Sequence, residues 1–123
     1  MENCVFCKII KKELPCYSIY DDYKVLVFLS IEPINNGHTL IIPKKHYLGF
    51  KEIDKEVLNH INAVAKNIYN LLEEKLKPDG IKLVQNNGSI QEVKHFHLHL
   101  IPVFEKNNEK LPLEEIHNIL TKK

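Results

Sequence analysis

The stretch His95-Phe96-His97-Leu98-His99-Leu100-Ile101 alternates three imidazoles with apolar side chains. A strand rises about 3.3 Å per residue and turns successive side chains to opposite faces, so the imidazoles project together at roughly 6.6 Å intervals. Phe96, Leu98 and Leu100 then enter a core from the other face. A solvated strand face draws on Thr, Lys or Glu, whereas three of the chain's seven histidines fall within five residues here. The period is that of a strand, and the residue type on its polar face marks a site.

Working upstream, Ile81 to Gln85 reads as the preceding strand, and Asn86-Asn87-Gly88-Ser89-Ile90-Gln91-Glu92 links it to the histidines. Asn amides and exposed backbone N–H groups can bond phosphate oxygens, although Asn-Gly sequences also make ordinary turns between paired strands. Asp54 to Lys77 is the clearest helix. Val57, Leu58, Ile61, Val64, Ala65, Ile68, Leu71, Leu72 and Leu76 recur at three- and four-residue steps, so one face must be buried. Asp54 can cap its start, and Pro78-Asp79-Gly80 supplies breakers at its end. His60 falls between apolar positions of this helix and is assigned no function.

Before the helix, Tyr17 to Tyr20 and Lys24 to Leu29 form a hairpin around Asp21-Asp22 at one edge of the sheet. Ile31 to Gly37 is a loop rich in turn formers that leads to His38. His38 to Ile42 is a further strand, stopped by Pro43. At the N-terminus Cys4 and Cys7 lie in a short turn, with Ile9, Ile10 and Leu14 on a brief helix that Pro15 ends. Downstream, a polar segment from Glu105 to Lys110 precedes a short amphipathic helix opened by Pro112, over about 112–121. Five strands, one long helix and short terminal helices in this order predict an α+β domain with a mainly antiparallel sheet.

The chain has 123 residues, the length of one domain spanning 1–123. Seventeen basic and sixteen acidic residues give a formal charge of +1, without the basic excess that wraps a nucleic acid polymer. A small charged ligand is the expectation. The acidic, polar N-terminus does not resemble a signal peptide and no apolar run approaches a membrane span, which predicts a cytoplasmic protein with no membrane partner. Three cysteines, two of them in Cys4-x-x-Cys7, suit metal binding in a reducing compartment better than a disulfide framework. By itself that motif reads equally as a redox pair or as half of a zinc site.

The pattern resembles the histidine triad family, whose signature is His-x-His-x-His followed by two apolar residues, in its Hint-like or bacterial branch. Cys4-Val5-Phe6-Cys7-Lys8-Ile9-Ile10, Gly37-His38-Thr39-Leu40-Ile41-Ile42-Pro43-Lys44-Lys45-His46, Asn86-Asn87-Gly88 and Gln91-Glu92-Val93 match in the family's order, so the resemblance covers residues 4–102. It implies the family fold and a structural zinc on Cys4, Cys7, His46 and His95, a closed tetrahedral set. It also implies that His97 attacks the α-phosphorus of a nucleotide ester, anhydride or phosphoramidate, and that water then releases the nucleoside monophosphate. His99 and His38 join His97 as the catalytic set. Asn86, Gln91, Glu92 and Ser30 fall on the substrate side, and relatives of this kind are commonly homodimers.

An imidazole suits that role because, when neutral and held in one tautomer, it attacks phosphorus readily and also leaves readily. Two rival readings stand beside it. The triad could itself hold a catalytic metal, or the chain could be a nucleotide-binding scaffold without turnover. Two departures bear on the second rival: Ser30 replaces an acidic residue that bonds the ribose in many relatives, and the loop from Asn86 to Gln91 is about two residues short.

Overall fold

The structure, a computed structural model, describes residues 3–106 and 108–122. Along the chain it has helix α1 (Val5–Ile10), strands β1 (Ser18–Asp21), β2 (Val25–Leu29) and β3 (Thr39–Pro43), helix α2 (Lys55–Leu76), strands β4 (Gly80–Val84) and β5 (Leu98–Val103), and helix α3 (Leu113–Thr121). The five strands form one sheet in the order β1-β2-β3-β5-β4, with every pairing antiparallel. The expected α+β class holds, and the β1–β2 hairpin occupies one edge.

Both faces of the sheet are covered, which explains why β2 is apolar throughout rather than alternating. Val25, Val27, Leu29, Ile41 and Leu100 face one side, where Ile61, Val64, Ala65, Ile68 and Leu72 of α2 meet Ile116 and Leu120 of α3. Ile61 and Leu72 have no exposed surface, and burying such a side chain contributes about 1.5–3 kcal/mol relative to leaving it in water. Leu26, Phe28, Leu40 and Ile42 face the other side and pack against Phe6 of α1. His117 of α3 donates from Nε2 to the Ser18 carbonyl at 2.8 Å, tying the C-terminal helix to β1. Among the described residues no helix is long and apolar enough to cross a membrane.

Three local expectations need correction. Helix α1 ends at Ile10, well before Pro15, because Lys12 turns into the left-handed region at φ 64°; Leu14 is exposed beyond it. Asp54 stands at the N-cap of α2 but makes no capping bond, since its Oδ2 accepts the Tyr47 hydroxyl at 3.0 Å. Strand β5 begins at Leu98 rather than His95, for the Phe96 N–H leaves the sheet and donates to the Tyr47 carbonyl at 2.8 Å. The alternation itself survives: Phe96 and Leu100 are buried in the core and Leu98 packs at its margin.

His60, unassigned from sequence, has a structural partner in Asp22. The Asp22 carboxylate accepts the Lys24 and Val25 N–H groups at 2.8 Å each, the Tyr20 hydroxyl at 2.8 Å, and His60 Nε2 at 2.7 Å. Burial pushes this carboxyl up, but the donors, His60 foremost, outweigh burial and hold it well below the usual carboxylate range. On acidification the unfolded chain therefore binds this proton first, at its ordinary value of about 3.9. The stability from this cluster is present above about pH 4 and lost as pH falls through the depressed folded-state value. Asp22→Asn should cost about 1–3 kcal/mol at neutral pH and narrow its gap from wild type in acid. Thermal unfolding midpoints of the two proteins, followed from neutral to strongly acidic pH, test this; a constant gap refutes it.

Candidate active site

The fold brings His38, His97 and His99 into one cluster. His99 lies on β5, opposite Leu40 of β3 and Val84 of β4. Asn86 follows the end of β4 by two residues, and His97 immediately precedes β5. His38 immediately precedes β3, where Ser30 N–H donates to its carbonyl at 2.9 Å and its own N–H donates to the Asn35 carbonyl at 3.1 Å. The His97 and His99 rings stand edge to face, with centroids 4.7 Å apart, and those of His38 and His99 are 5.1 Å apart.

Hydrogen-bond partners determine which nitrogen of each ring carries the proton. The Ile34 N–H donates to His38 Nδ1 at 3.1 Å, so the His38 proton is on Nε2, which donates to His99 Nδ1 at 2.9 Å. His99 therefore carries its own proton on Nε2. His97 donates from Nδ1 to the His95 carbonyl at 2.8 Å, which leaves the lone pair on Nε2. Neither Nε2 bonds another described residue, and no buried side-chain nitrogen or oxygen among them lacks a partner, so both atoms face open space. Burial lowers His38 and His99 to about 4 and lowers His97 as well, keeping all three neutral at pH 7. The cluster thus presents one nucleophilic lone pair beside one N–H donor.

A second cluster lies directly behind it. Ligand atoms of Cys4, Cys7, His46 and His95 are all within 4.8 Å of one another. His95 Nδ1 is 3.4 Å from Cys4 Sγ, 3.6 Å from Cys7 Sγ and 3.1 Å from His46 Nδ1, while Cys7 Sγ is 3.3 Å from His46 Nδ1. A tetrahedral zinc with ordinary Zn–S and Zn–N bonds needs ligand atoms about 3.3–3.8 Å apart; the three sulfur–nitrogen distances fall in that range and the nitrogen pair at 3.1 Å is slightly closer, so the donor set suits that ion. The fit extends outward, because His95 Nε2 donates to the Pro43 carbonyl at 2.8 Å and so frees Nδ1 for a metal. Burial, with Cys4 adding to it, pushes the Cys7 thiol up, so its thiolate form calls for a cation beside it.

The remaining expected residues divide. Ser30 directly follows β2, and its Oγ accepts the Glu32 N–H at 3.3 Å, leaving its hydroxyl proton to donate. Asn86 is half-buried, and Glu92 is exposed with its charge acting on both His38 and His97. Gln91, expected beside the phosphate, is 3% exposed and donates its amide to the Leu48 carbonyl at 2.7 Å. It serves there as a tie between loops. Asn87, read from sequence as part of the phosphate-side loop, is a second tie: its Oδ1 accepts the Phe50 N–H at 2.8 Å. The bracket Tyr47–Phe50, which works mainly through backbone atoms, left no sequence signal at all.

An antiparallel α+β sheet carrying a three-histidine cluster at its centre, backed by a Cys2His2 set, defines the class. The HIT domain model matches residues 11–106, and the chain belongs to that family. It is 46% identical over 119 residues to an uncharacterised HIT-like protein of Methanocaldococcus jannaschii, covering 94% of this chain and 91% of that one. It is 42% identical over 109 residues to the adenosine 5'-monophosphoramidase HNT1 of Saccharomyces cerevisiae, covering 87% of this chain and 65% of that one. Among solved structures, a zinc-bound histidine triad family protein from Mycobacterium smegmatis superposes with a TM-score of 0.89 at 32% identity, covering 98% of this chain and 91% of that one.

Proposed function

We propose that the chain, acting as one HIT domain over residues 1–123, is a nucleotidyl hydrolase or transferase working through a covalent nucleotidyl-His97 intermediate. The observation that carries this reading is the His97 tautomer, with Nδ1–H held by the His95 carbonyl at 2.8 Å and the Nε2 lone pair free. His97 Nε2 attacks the α-phosphorus, the bond to the leaving group breaks with its electron pair, and water then displaces His97 to release the nucleoside monophosphate. His99, backed by His38, offers its N–H to the phosphate oxygens as charge grows on them, and Asn86 supplies a further donor. The substrate class is a nucleoside phosphoramidate, dinucleoside polyphosphate or related nucleotide; similarity to the yeast phosphoramidase supports the first. A panel of adenosine nucleotides with different leaving groups, assayed with the purified protein, is the test. No turnover of any member, with nucleotide binding retained, would favour the scaffold reading.

The metal on Cys4, Cys7, His46 and His95 is a structural zinc: two thiolates and two imidazoles suit that ion, and the mycobacterial neighbour is zinc-bound. Thiolate ligands suit a cytoplasmic location. A homodimer through the β4 edge is supported by that strand's position at the sheet margin and by Leu83, which is 52% exposed on it. Sedimentation equilibrium tests it.

Ser30 sets sugar recognition. A serine offers one neutral hydrogen bond where a carboxylate would accept from both ribose hydroxyls with charge assistance, and such bonds are about twice as strong as neutral ones. Ser30→Asp should lower KM for ribonucleotides with little change in kcat, sharpening the preference over matched deoxyribonucleotides. If the ratio of the two kcat/KM values does not move, the sugar is held elsewhere.

A further inference from the structure

The His38 and His99 pair can hold its protons in two ways. Both rings are neutral at pH 7, since burial lowers each to about 4. One proton lies in the 2.9 Å contact between His38 Nε2 and His99 Nδ1 and can belong to either nitrogen. If His38 owns it, His99 carries its own proton on Nε2 and has a donor to offer. If His99 owns it, that Nε2 is a lone pair and the donor is gone. The Ile34 N–H selects the first arrangement, because it donates to His38 Nδ1 at 3.1 Å and so excludes a proton there.

Ile34 itself is 68% exposed, so little burial of its own side chain holds that N–H in place. The next two residues anchor it. Asn35 Nδ2 donates to the Pro102 carbonyl at 2.8 Å, two residues past Leu100, where the pairing of β5 with β3 has stopped. This amide therefore extends the tie to the strand that carries His99. The Asn35 carbonyl in turn accepts the His38 N–H at 3.1 Å. Asn36 is buried, donating from Nδ2 to the Glu109 carbonyl at 2.7 Å and accepting the Leu111 N–H on Oδ1 at 3.0 Å. Gly37 then turns at φ 85°, in the left-handed region, and delivers the chain to His38.

We propose that Asn35 and Asn36 are positioning residues for the His38 and His99 relay, clamping residues 31–37 so that the Ile34 N–H fixes which nitrogen of His99 carries the proton. The inference rests on the reading of His99 as donor to the phosphate. Neither side chain bonds a histidine; both act through the main chain of the loop. Release of the loop withdraws the Ile34 N–H from His38 Nδ1, and part of the population then takes the arrangement without the donor.

The experiment compares wild type, Asn35→Ala and Asn36→Ala, each also made in a His99→Ala background. The readouts at pH 7 are the protonated nitrogens of His38 and His99 in long-range 15N–1H NMR, kcat for an adenosine phosphoramidate, and affinity for AMP. Wild type should show both rings protonated on Nε2. Each asparagine variant should move part of His99 to the Nδ1-protonated form and lower kcat about three- to thirtyfold, less than the roughly 10²–10³ of a whole donor. AMP affinity should stay within about twofold, and in the His99→Ala background the same substitutions should cost less than about twofold in kcat, since no relay is left to position. The proposal is overturned if the protonation pattern is unchanged in both variants, or if the kcat loss is as large without His99. It is equally overturned if AMP affinity falls in step with kcat, which would put the asparagines in the nucleotide site. Should Asn36→Ala not fold, for want of partners to the Glu109 carbonyl and Leu111 N–H, the half-buried Asn35 decides through its own variant by the same signals. Absence of turnover in wild type would sink the phosphate-donor reading instead, and the NMR pattern still decides the role of Asn35 and Asn36.

Discussion

His97→Ala is expected to reduce nucleotidyl transfer by a factor on the order of 10⁴ or more while leaving nucleotide affinity nearly unchanged. In the proposed scheme the bond from His97 Nε2 to phosphorus exists only during reaction, so its loss falls on kcat rather than on ground-state contacts. Residue type matters because burial keeps this imidazole neutral near pH 7, and the bond to the His95 carbonyl presents the unprotonated nitrogen to substrate. His99→Ala should be milder: it removes a donor to the phosphate, and losing one such donor costs about 10²–10³ in kcat. Rapid mixing with an adenosine nucleotide, quenched without acid and followed by mass spectrometry, should find the nucleotidyl group on His97 in wild type and nowhere in the variant. Activity in His97→Ala equal to wild type would falsify the covalent scheme. It would leave the alternative in which the triad binds a catalytic metal.

Substituting Cys4 and Cys7 together by serine should empty the metal centre and lower the thermal midpoint by about 10 °C or more. Two of four ligands disappear, and His46 and His95 alone cannot close a tetrahedral site. The cluster joins three segments distant in sequence, namely α1, the chain after β3 and the triad, so the binding energy of the proposed zinc would add to folding stability. The sheet and α2 should survive, because the larger core contains no ligand residue. Elemental analysis of unchelated wild type should give one zinc per chain and the double variant none. Metal content unaffected by the substitutions would place the ion on the triad itself and remove the structural assignment.

How much of this was legible in the chain is clearest at the triad. The two-residue alternation from His95 to Ile101 is a local property of a strand, and it correctly predicted which side chains enter the core even though hydrogen bonding begins only at Leu98. Helix α2 was equally legible, because a repeat over 22 residues leaves little choice of period. The grouping of Cys4, Cys7, His46 and His95, which the fold brings within 4.8 Å of one another, was reached by resemblance; spacing alone left Cys4-x-x-Cys7 undecided between redox pair and zinc site. Helix ends were poorly read, since a left-handed Lys12 and an Asp54 diverted to Tyr47 answer to surroundings rather than to residue preference.

What only the tertiary structure decided is the protonation pattern and the division of labour around it. Each histidine tautomer depends on a partner from another segment or from the main chain: the Pro43 carbonyl for His95, the Ile34 N–H for His38, and His38 in turn for His99. The Pro43 and Ile34 partners are backbone atoms, which carry no residue identity, so no reading of side chains could have found those two. Gln91 shows the converse, for its amide is satisfied by the Leu48 carbonyl rather than turned to a ligand. The sequence determined by itself that imidazoles would share one face of one strand, because strand period is local. Which nitrogen points outward, and that Cys4, Cys7 and His46 gather on His95 next to His97, was decided by chain segments that meet only on folding.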